Sequence, residues 1–446
     1  MDDYPIVTEN DHATYIRNCV RERLPDKKIY FFTDYIEGGL ESPEVIDFSL
    51  QTINVKSIPS FGKINPTHLK EIKNKESFLV WESYLESGER YIKALYLKCL
   101  HESIPTEQII VLGSSYDYQN IANKFAESYN VKPFTIIVYN FYEKFSKKKL
   151  LVDVCKKHSI QDIPHTAKEL EDITSNLDIE LTNPLKKNNF IKRFIFLNNI
   201  PRLHRIALTS MLYHENLIDK GYVSFHKNFS NGTLNHSSKF FKEPISTAIK
   251  TFDFRKNLPI MLDELQLVSR HIHIEECEKK GQTYHGAGYY NHDALSTFPG
   301  EPGVIRYSGD LMPFIDTSFL HIVSETFYSY DSLGFYYWEG NKECRWLTEK
   351  MFKPILFKQP FILFTLPNSI EVVKKMGYET FSGIIDESYD QEPDDTKRLC
   401  MILEEIKRIS ELDDETLDNY RKRLIPIVEH NFQVFLNKTN YLDDPF

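Results

Sequence analysis

Short continuous apolar runs alternate with longer amphipathic stretches along the first third of the chain. The runs are "KIYFFTDY" from Lys28, "SFLVWES" from Ser77, "QIIVLGSS" from Gln108 and "PFTIIVYN" from Pro133. Between the last three lie "YIKALYLKCLHE" and "YQNIANKFAESY", whose apolar positions recur at helical spacing. Strands that are apolar on both faces belong in a parallel sheet covered on both sides, and intervening helices supply the cover. Residues 28 to about 140 therefore predict a doubly wound α/β domain.

From Lys144 to about Asn189 the composition shifts to Lys, Asp, Thr and Asn, and "ELTNPLKKNN" reads as a connection. A second α/β series follows: strand "KRFIFLNN", helix "RLHRIALTSMLYHENLI", strand "GYVSF", then strand "SFLHIVSET", helix "EKMFKPILF", strand "QPFILF" and helix "NSIEVVKKMG". The pattern predicts two Rossmann-like doubly wound domains facing a cleft, at 1–185 and 186–446, with the final helices packing back on the first. Residues 226–315 fit neither series. Their Gly, Tyr and Pro content suits loops that shape or cap a substrate site.

Composition narrows the class. Hydrophobic content of 41% and charged content of 26% are those of a globular protein, and six scattered cysteines without a CxxC pair read as free thiols in a reducing compartment. The start "MDDYPIVTENDH" has no basic or apolar leader region, and no run approaches the roughly 18 apolar residues of a spanning helix. A cytoplasmic protein without a membrane span is expected. The net charge of −10 opposes a nucleic-acid coat, although lysines cluster at Lys144, Lys147, Lys148, Lys149, Lys156 and Lys157 and again at Lys186, Lys187, Lys192 and Arg193. Such clusters serve equally well as solvated helix faces.

The chain has no GxxxxGK[ST] loop, no GxGxxG after its first strand and no GxSxG elbow. Phosphate binding is left to side-chain cations and helix N-termini. One stretch puts both together. "WLTEKMFKPILFKQPF", Trp346 to Phe361, sets Thr348, Glu349 and Lys350 where a helix should begin. There Thr348 can cap the helix or bond phosphate, Glu349 can accept the hydroxyls of a ribose or sugar, and Lys350 can neutralise a diphosphate oxygen. A capping threonine, a first-turn glutamate and a surface lysine would write the same letters. "NNIPRLHRIALTSML" adds Arg202 and Arg205, three apart at a helix start, and "LHIVSETFYSY" runs a strand into Ser324, Glu325 and Thr326.

In that order, "NNIPRLHR", "SET", "TEK" and "KQPFILF", the chain resembles the donor-binding half of α1,3-fucosyltransferase-like glycosyltransferases. "MGYETFSGIIDESYD" with "DDTKRL" is also similar to uncharacterised members encoded by phages and large viruses. The resemblance covers roughly residues 190–410. It implies a GT-B arrangement, with the nucleotide-sugar donor on the second domain and the acceptor on the first. It implies that Arg202 or Arg205 and Lys350 hold the diphosphate, that Glu349 and Glu325 face ribose and sugar, and that neither metal nor other cofactor takes part. Thr326 stands where the family has Asn, and 24 positions separate Glu325 from Glu349, an interval longer than the family's pattern leads one to expect.

Transfer with inversion needs a base for the acceptor hydroxyl, from the end of a strand in the first domain. Glu82 follows an apolar strand directly and is favoured over Asp34 and Glu37. A small glycan or lipid-linked sugar, a protein side chain and a hydroxymethylated base in viral DNA are all chemically possible acceptors. Tyr284, Tyr289 and Tyr290 are rings on which a sugar or base can stack, or equally loop packing. Two other classes compete. One is a binding protein of the same fold without catalysis; the other is a metal-dependent hydrolase built on His271, His273 and His285, near Glu275 and His292, which lack HExxH spacing.

Overall fold

A computed structural model describes residues 20–21, 24, 26–33, 64–82, 89–113, 118–139, 183–198, 202–224, 242–243, 245–252, 312–325, 327–329, 347–438 and 442–443. They form an α/β structure with two sheets, each containing four parallel strands.

The first sheet contains β1 (Ile29–Thr33), β2 (Phe78–Glu82), β3 (Ile109–Gly113) and β4 (Thr135–Tyr139) in sequence order. Helices α1 (Pro66–Lys73), α2 (Glu89–His101) and α3 (Tyr118–Tyr129) lie between successive strands. Helix α1 starts sharply because the Asn65 side chain accepts a hydrogen bond from Thr67 N and Pro66 occupies the first turn. A right-handed crossover that always steps the same way leaves its helix on the same face each time. Alternate residues confirm it. Leu79, Trp81, Ile109, Val111 and Ile136 share a core with Ile72, Ile92, Leu95, Tyr96, Ile121 and Ala126 of the three helices. The opposite parity, Val80, Ile110, Leu112 and Ile137, packs with Val20 and Leu24. Among the described residues the three connecting helices cover one face of this sheet, and helical Val20 with Leu24 packs on the other.

The second sheet is built from β5 (Lys192–Leu197), β6 (Gly221–Ser224), β7 (Ser318–Ser324) and β8 (Phe361–Phe364), all parallel, in the order β6-β5-β7-β8. Its helices are α4 (Pro184–Lys187), α5 (Leu203–His214), α6 (Ile245–Thr251), α7 (Met312–Asp316), α8 (Glu349–Leu356), α9 (Ser369–Lys375), α10 (Asp395–Ser410) and α11 (Asp414–Asn437). Helix α5 packs with α6 and α10, while α8 packs with α11 and α4 with α7. One large core joins the sheet to these helices. The strand order reverses between β5 and β7, and an open α/β sheet forms its ligand crevice outside the strand ends at such a reversal.

The final helices α10 and α11 pack in this second core. The chain then returns to the first sheet as β9 (Leu442–Asp443), antiparallel to β4 through Tyr139 and Val138. No helix among the described residues is long and apolar enough to cross a membrane.

Candidate functional site

The carboxyl ends of β5 and β7 flank the reversal, and two helix starts meet there. Helix α5 begins after Arg202, whose extended backbone (φ −80°, ψ 155°) makes it the N-cap without a side-chain capping bond. Residues 204 to 212 of α5 are all buried. A helix buried on every side must satisfy its polar groups internally, and Arg205 does so. Its Nε donates to Ser324 Oγ at 3.0 Å, and its Nη2 donates to the carbonyls of Ser324 and Glu325, both at 3.1 Å.

His204 joins the same strand end. Its Nε2 lies 3.1 Å from the Glu325 carbonyl, and because a carbonyl only accepts, Nε2 carries the proton. The ring stacks on Tyr328 and meets Phe364 edge-on. Burial, reinforced by the charges of Arg205 and Arg202, holds its pKa well below the ordinary histidine range.

The second helix start is α8. Thr348 is its N-cap, extended at φ −115° and ψ −170°, with its hydroxyl accepting from Lys350 N. The same hydroxyl donates to Glu325 Oε2 at 2.6 Å, and Thr348 N donates to Glu325 Oε1 at 2.8 Å. Lys350 Nζ donates to Thr348 Oγ1 at 2.8 Å and stands 3.7 Å from Glu325 Oε2. The Glu325 side chain is 0% exposed and that of Lys350 20%.

The structure therefore redistributes the residues that the sequence grouped as donor ligands. Arg205, 4% exposed, is committed to the end of β7 and is not presented to a diphosphate. Glu325 does not face a cleft: its carboxylate is consumed by Thr348 and Lys350. Thr348 is a buried cap. What remains at the rim is Lys350 together with half-buried Arg202, whose guanidinium lies 5.7 Å from the Phe327 ring centroid. Among the described residues no carboxylate pairs with Arg202.

Glu349 opens α8 and Glu82 closes β2 opposite Thr33 and Leu112, but both side chains lie outside the described residues. Thr326, Asp34, Glu37, Tyr284, Tyr289, Tyr290, His271, His273, Glu275, His285, His292 and the lysines from Lys144 to Lys157 lie outside them altogether. Among those described, no group of three or more His, Cys, Asp or Glu is placed to hold a metal ion.

The second basic cluster is largely engaged within the protein. Lys186 pairs with Glu429 and Lys187 with Asp316, both at 2.8 Å, Arg193 with Asp414 at 3.3 Å, and Lys192 Nζ donates to the Asp219 carbonyl. A separate cleft of about 850 Å³ lies between α9 and residues 382–391, walled by Arg408 and Tyr420. At its side Asp390 accepts from Ser369 N and Ile370 N at 3.0 and 3.1 Å, and burial pushes its pKa up to about 6. Tyr389 Oη meanwhile accepts from Leu363 N and so covers the outer edge of β8.

His204 is the site residue that pattern reading passed over. The signal for His204 was the uncharged run from Ile206 to Leu212, which marks α5 as buried all round. Comparison with protein-family models and with curated proteins finds no match to this chain.

Proposed function

We propose that the protein is a glycosyltransferase that moves a sugar from a nucleoside-diphosphate sugar to an acceptor hydroxyl, with inversion and without a metal ion. The observation that carries the reading is the meeting of two helix starts, α5 and α8, at the reversal between β5 and β7, with Arg202 and Lys350 at its rim. Helix starts present unpaired N–H groups and a positive dipole end, and two cations beside them suit a diphosphate.

In this reading Arg202 and Lys350 bind the diphosphate and stabilise the charge that grows on it. The bond between the sugar's anomeric carbon and the β-phosphate oxygen breaks, and its electron pair leaves with the nucleoside diphosphate. The acceptor oxygen forms the new bond to the anomeric carbon from the opposite face. Its proton passes to a carboxylate of the first sheet, for which Glu82 at the end of β2 is the proposed base. Glu349, first in α8, is the proposed partner of the donor's ribose or sugar hydroxyls. The net charge of −10 leans toward a small or protein-borne acceptor rather than DNA.

The test is a thermal-shift screen of the purified protein, chelator present, against GDP, UDP, ADP, CDP and their common sugar conjugates. A ligand specific to the folded state, at a hundred times its dissociation constant, adds about 2.7 kcal/mol of stability. One nucleoside diphosphate standing clear of the others is the expected result. No shift with any of them removes the reading.

A further inference from the structure

We infer that Glu325 is a positioning residue that ties the starts of α5 and α8 to one strand end. It rests on the donor reading only for its consequence in donor binding.

Each polar group of Glu325 is committed to a different element. Its N–H donates to the Phe364 carbonyl at the end of β8, at 3.1 Å. Its carbonyl accepts from His204 and Arg205 in the first turn of α5. Its carboxylate accepts from the backbone and hydroxyl of Thr348, the cap of α8. Three elements are thereby referenced to one fully buried residue, away from any open surface. A sugar could reach this carboxylate only by displacing Thr348.

The carboxylate also decides how Lys350 is held. The Thr348 hydroxyl has one proton and gives it to Glu325, so its lone pairs face Lys350 N and Nζ. A neutral carboxamide in the same place breaks this order. It has one acceptor oxygen for two donors, Thr348 N and Thr348 Oγ, so it cannot accept from both. With the oxygen on Oγ the N–H₂ meets Thr348 N donor to donor, and with the oxygen on Thr348 N the hydroxyl must accept instead of donate. If the amide N–H₂ turns to Oγ, the hydroxyl proton swings toward Lys350 and its ammonium is driven off. An isosteric change at a residue that touches no ligand thus alters the cation at the rim.

The experiment uses the full chain with Glu325→Gln, and with Thr348→Val as a second variant that deletes only the hydroxyl. Amide hydrogen exchange is followed at Thr348 to Met351, dissociation constants for the screened nucleoside diphosphates are measured by calorimetry, and turnover is measured against donor concentration. In Glu325→Gln the Thr348 amide is expected to exchange about tenfold faster or more, since its partner is weakened. Nucleoside-diphosphate binding weakens about tenfold and kcat falls with it, because the displaced Lys350 also stabilises the charge that grows on the diphosphate. Thr348→Val gives the same binding loss, and Thr348→Ser, which keeps both donors, restores wild-type binding. Unchanged exchange at Thr348 overturns the proposal. So does a fall in kcat of a hundredfold or more with nucleoside-diphosphate affinity intact, which would place Glu325 against the sugar. If the wild-type chain binds no nucleoside diphosphate, the donor reading fails, and exchange at Thr348 still decides the role of Glu325.

Discussion

Thr348 gives both of its protons to one carboxylate: its N–H to Glu325 Oε1 at 2.8 Å and its hydroxyl to Oε2 at 2.6 Å, across 23 residues of chain. A buried carboxylate is tolerated only when its oxygens are paired. Removing the hydroxyl as Thr348→Ala leaves Oε2 with Lys350 alone, and the expected loss is about 1–3 kcal/mol of stability. Thr348→Ser keeps both donors and should stay within about 1 kcal/mol of the parent, the cost of one methyl group. Urea unfolding of the two variants checks this. Equal losses would mean that the methyl group, not the hydroxyl, matters at this cap.

Acid and base limbs of stability are set by groups of opposite sign. His321 sits buried in β7 against Gln359, and burial lowers its pKa to about 4. The unfolded histidine takes a proton near pH 6.5 while the folded one does not. Its contribution, on the order of 3 kcal/mol, is complete above pH 6.5 and is lost as pH falls toward 4. His321→Gln should therefore flatten the decline of stability between pH 6.5 and 4. A chemical-unfolding series across that range reads the slope directly, and an unchanged slope would show that His321 does not stay neutral there.

Asp390 works in the other direction. Burial raises its pKa to about 6 although two amides of α9 stabilise its charge. The folded protein takes this proton before the unfolded chain does, so the contribution is complete below about pH 4 and is lost as pH rises through 6. The stability of the parent relative to Asp390→Asn should rise on acidification from pH 7 to 4 by on the order of 3 kcal/mol. A flat difference curve would remove Asp390 from the titration.

Gly221 opens β6 where a Cβ would meet the Phe194 ring at 2.1 Å. That ring is 1% exposed in the main core and has no open side to retreat into. Gly221→Ala should cost about 1–3 kcal/mol or more by overpacking. Adding Phe194→Leu should recover part of that loss, since contacting sites are not additive. If the double mutant loses the full sum of the two single changes, the clash is not the cause.

The strand-helix alternation of the second domain was legible because its strands, such as Phe361–Phe364, are continuous apolar runs between clear punctuation. Thr348 as a helix cap was legible too, because a threonine before a charged first turn has a local cause. The order β6-β5-β7-β8 was not legible. Strand pairing depends on contacts between segments more than 100 residues apart, such as Phe194 with Leu320, which leave no local mark. The same limit hid the fate of Arg205 and Glu325. Their partners lie 119 and 23 positions away, and spacing alone presented both as exposed charges.

Arg202 and Arg205 stand three residues apart and should behave in opposite ways. Arg205 is buried and donates to Ser324 Oγ and to two carbonyls at the end of β7; Arg205→Ala removes all three bonds, and only the Glu325 carbonyl keeps a donor from α5, His204. The expected cost is roughly 3 kcal/mol or more, most of it the penalty of taking a donor from buried groups. Arg202 is half-buried at the mouth of α5, with an aromatic face as its described neighbour. Arg202→Ala should leave stability within about 0.5 kcal/mol. A guanidinium bond to a phosphate is worth about 1.5–3 kcal/mol, so the same change should weaken nucleoside-diphosphate binding by about 10- to 100-fold. Calorimetric titration and urea unfolding of both variants separate the two roles. An Arg202 variant that binds nucleoside diphosphate as the parent does would take the α5 start out of the donor site and leave Lys350 as the remaining cation at the rim.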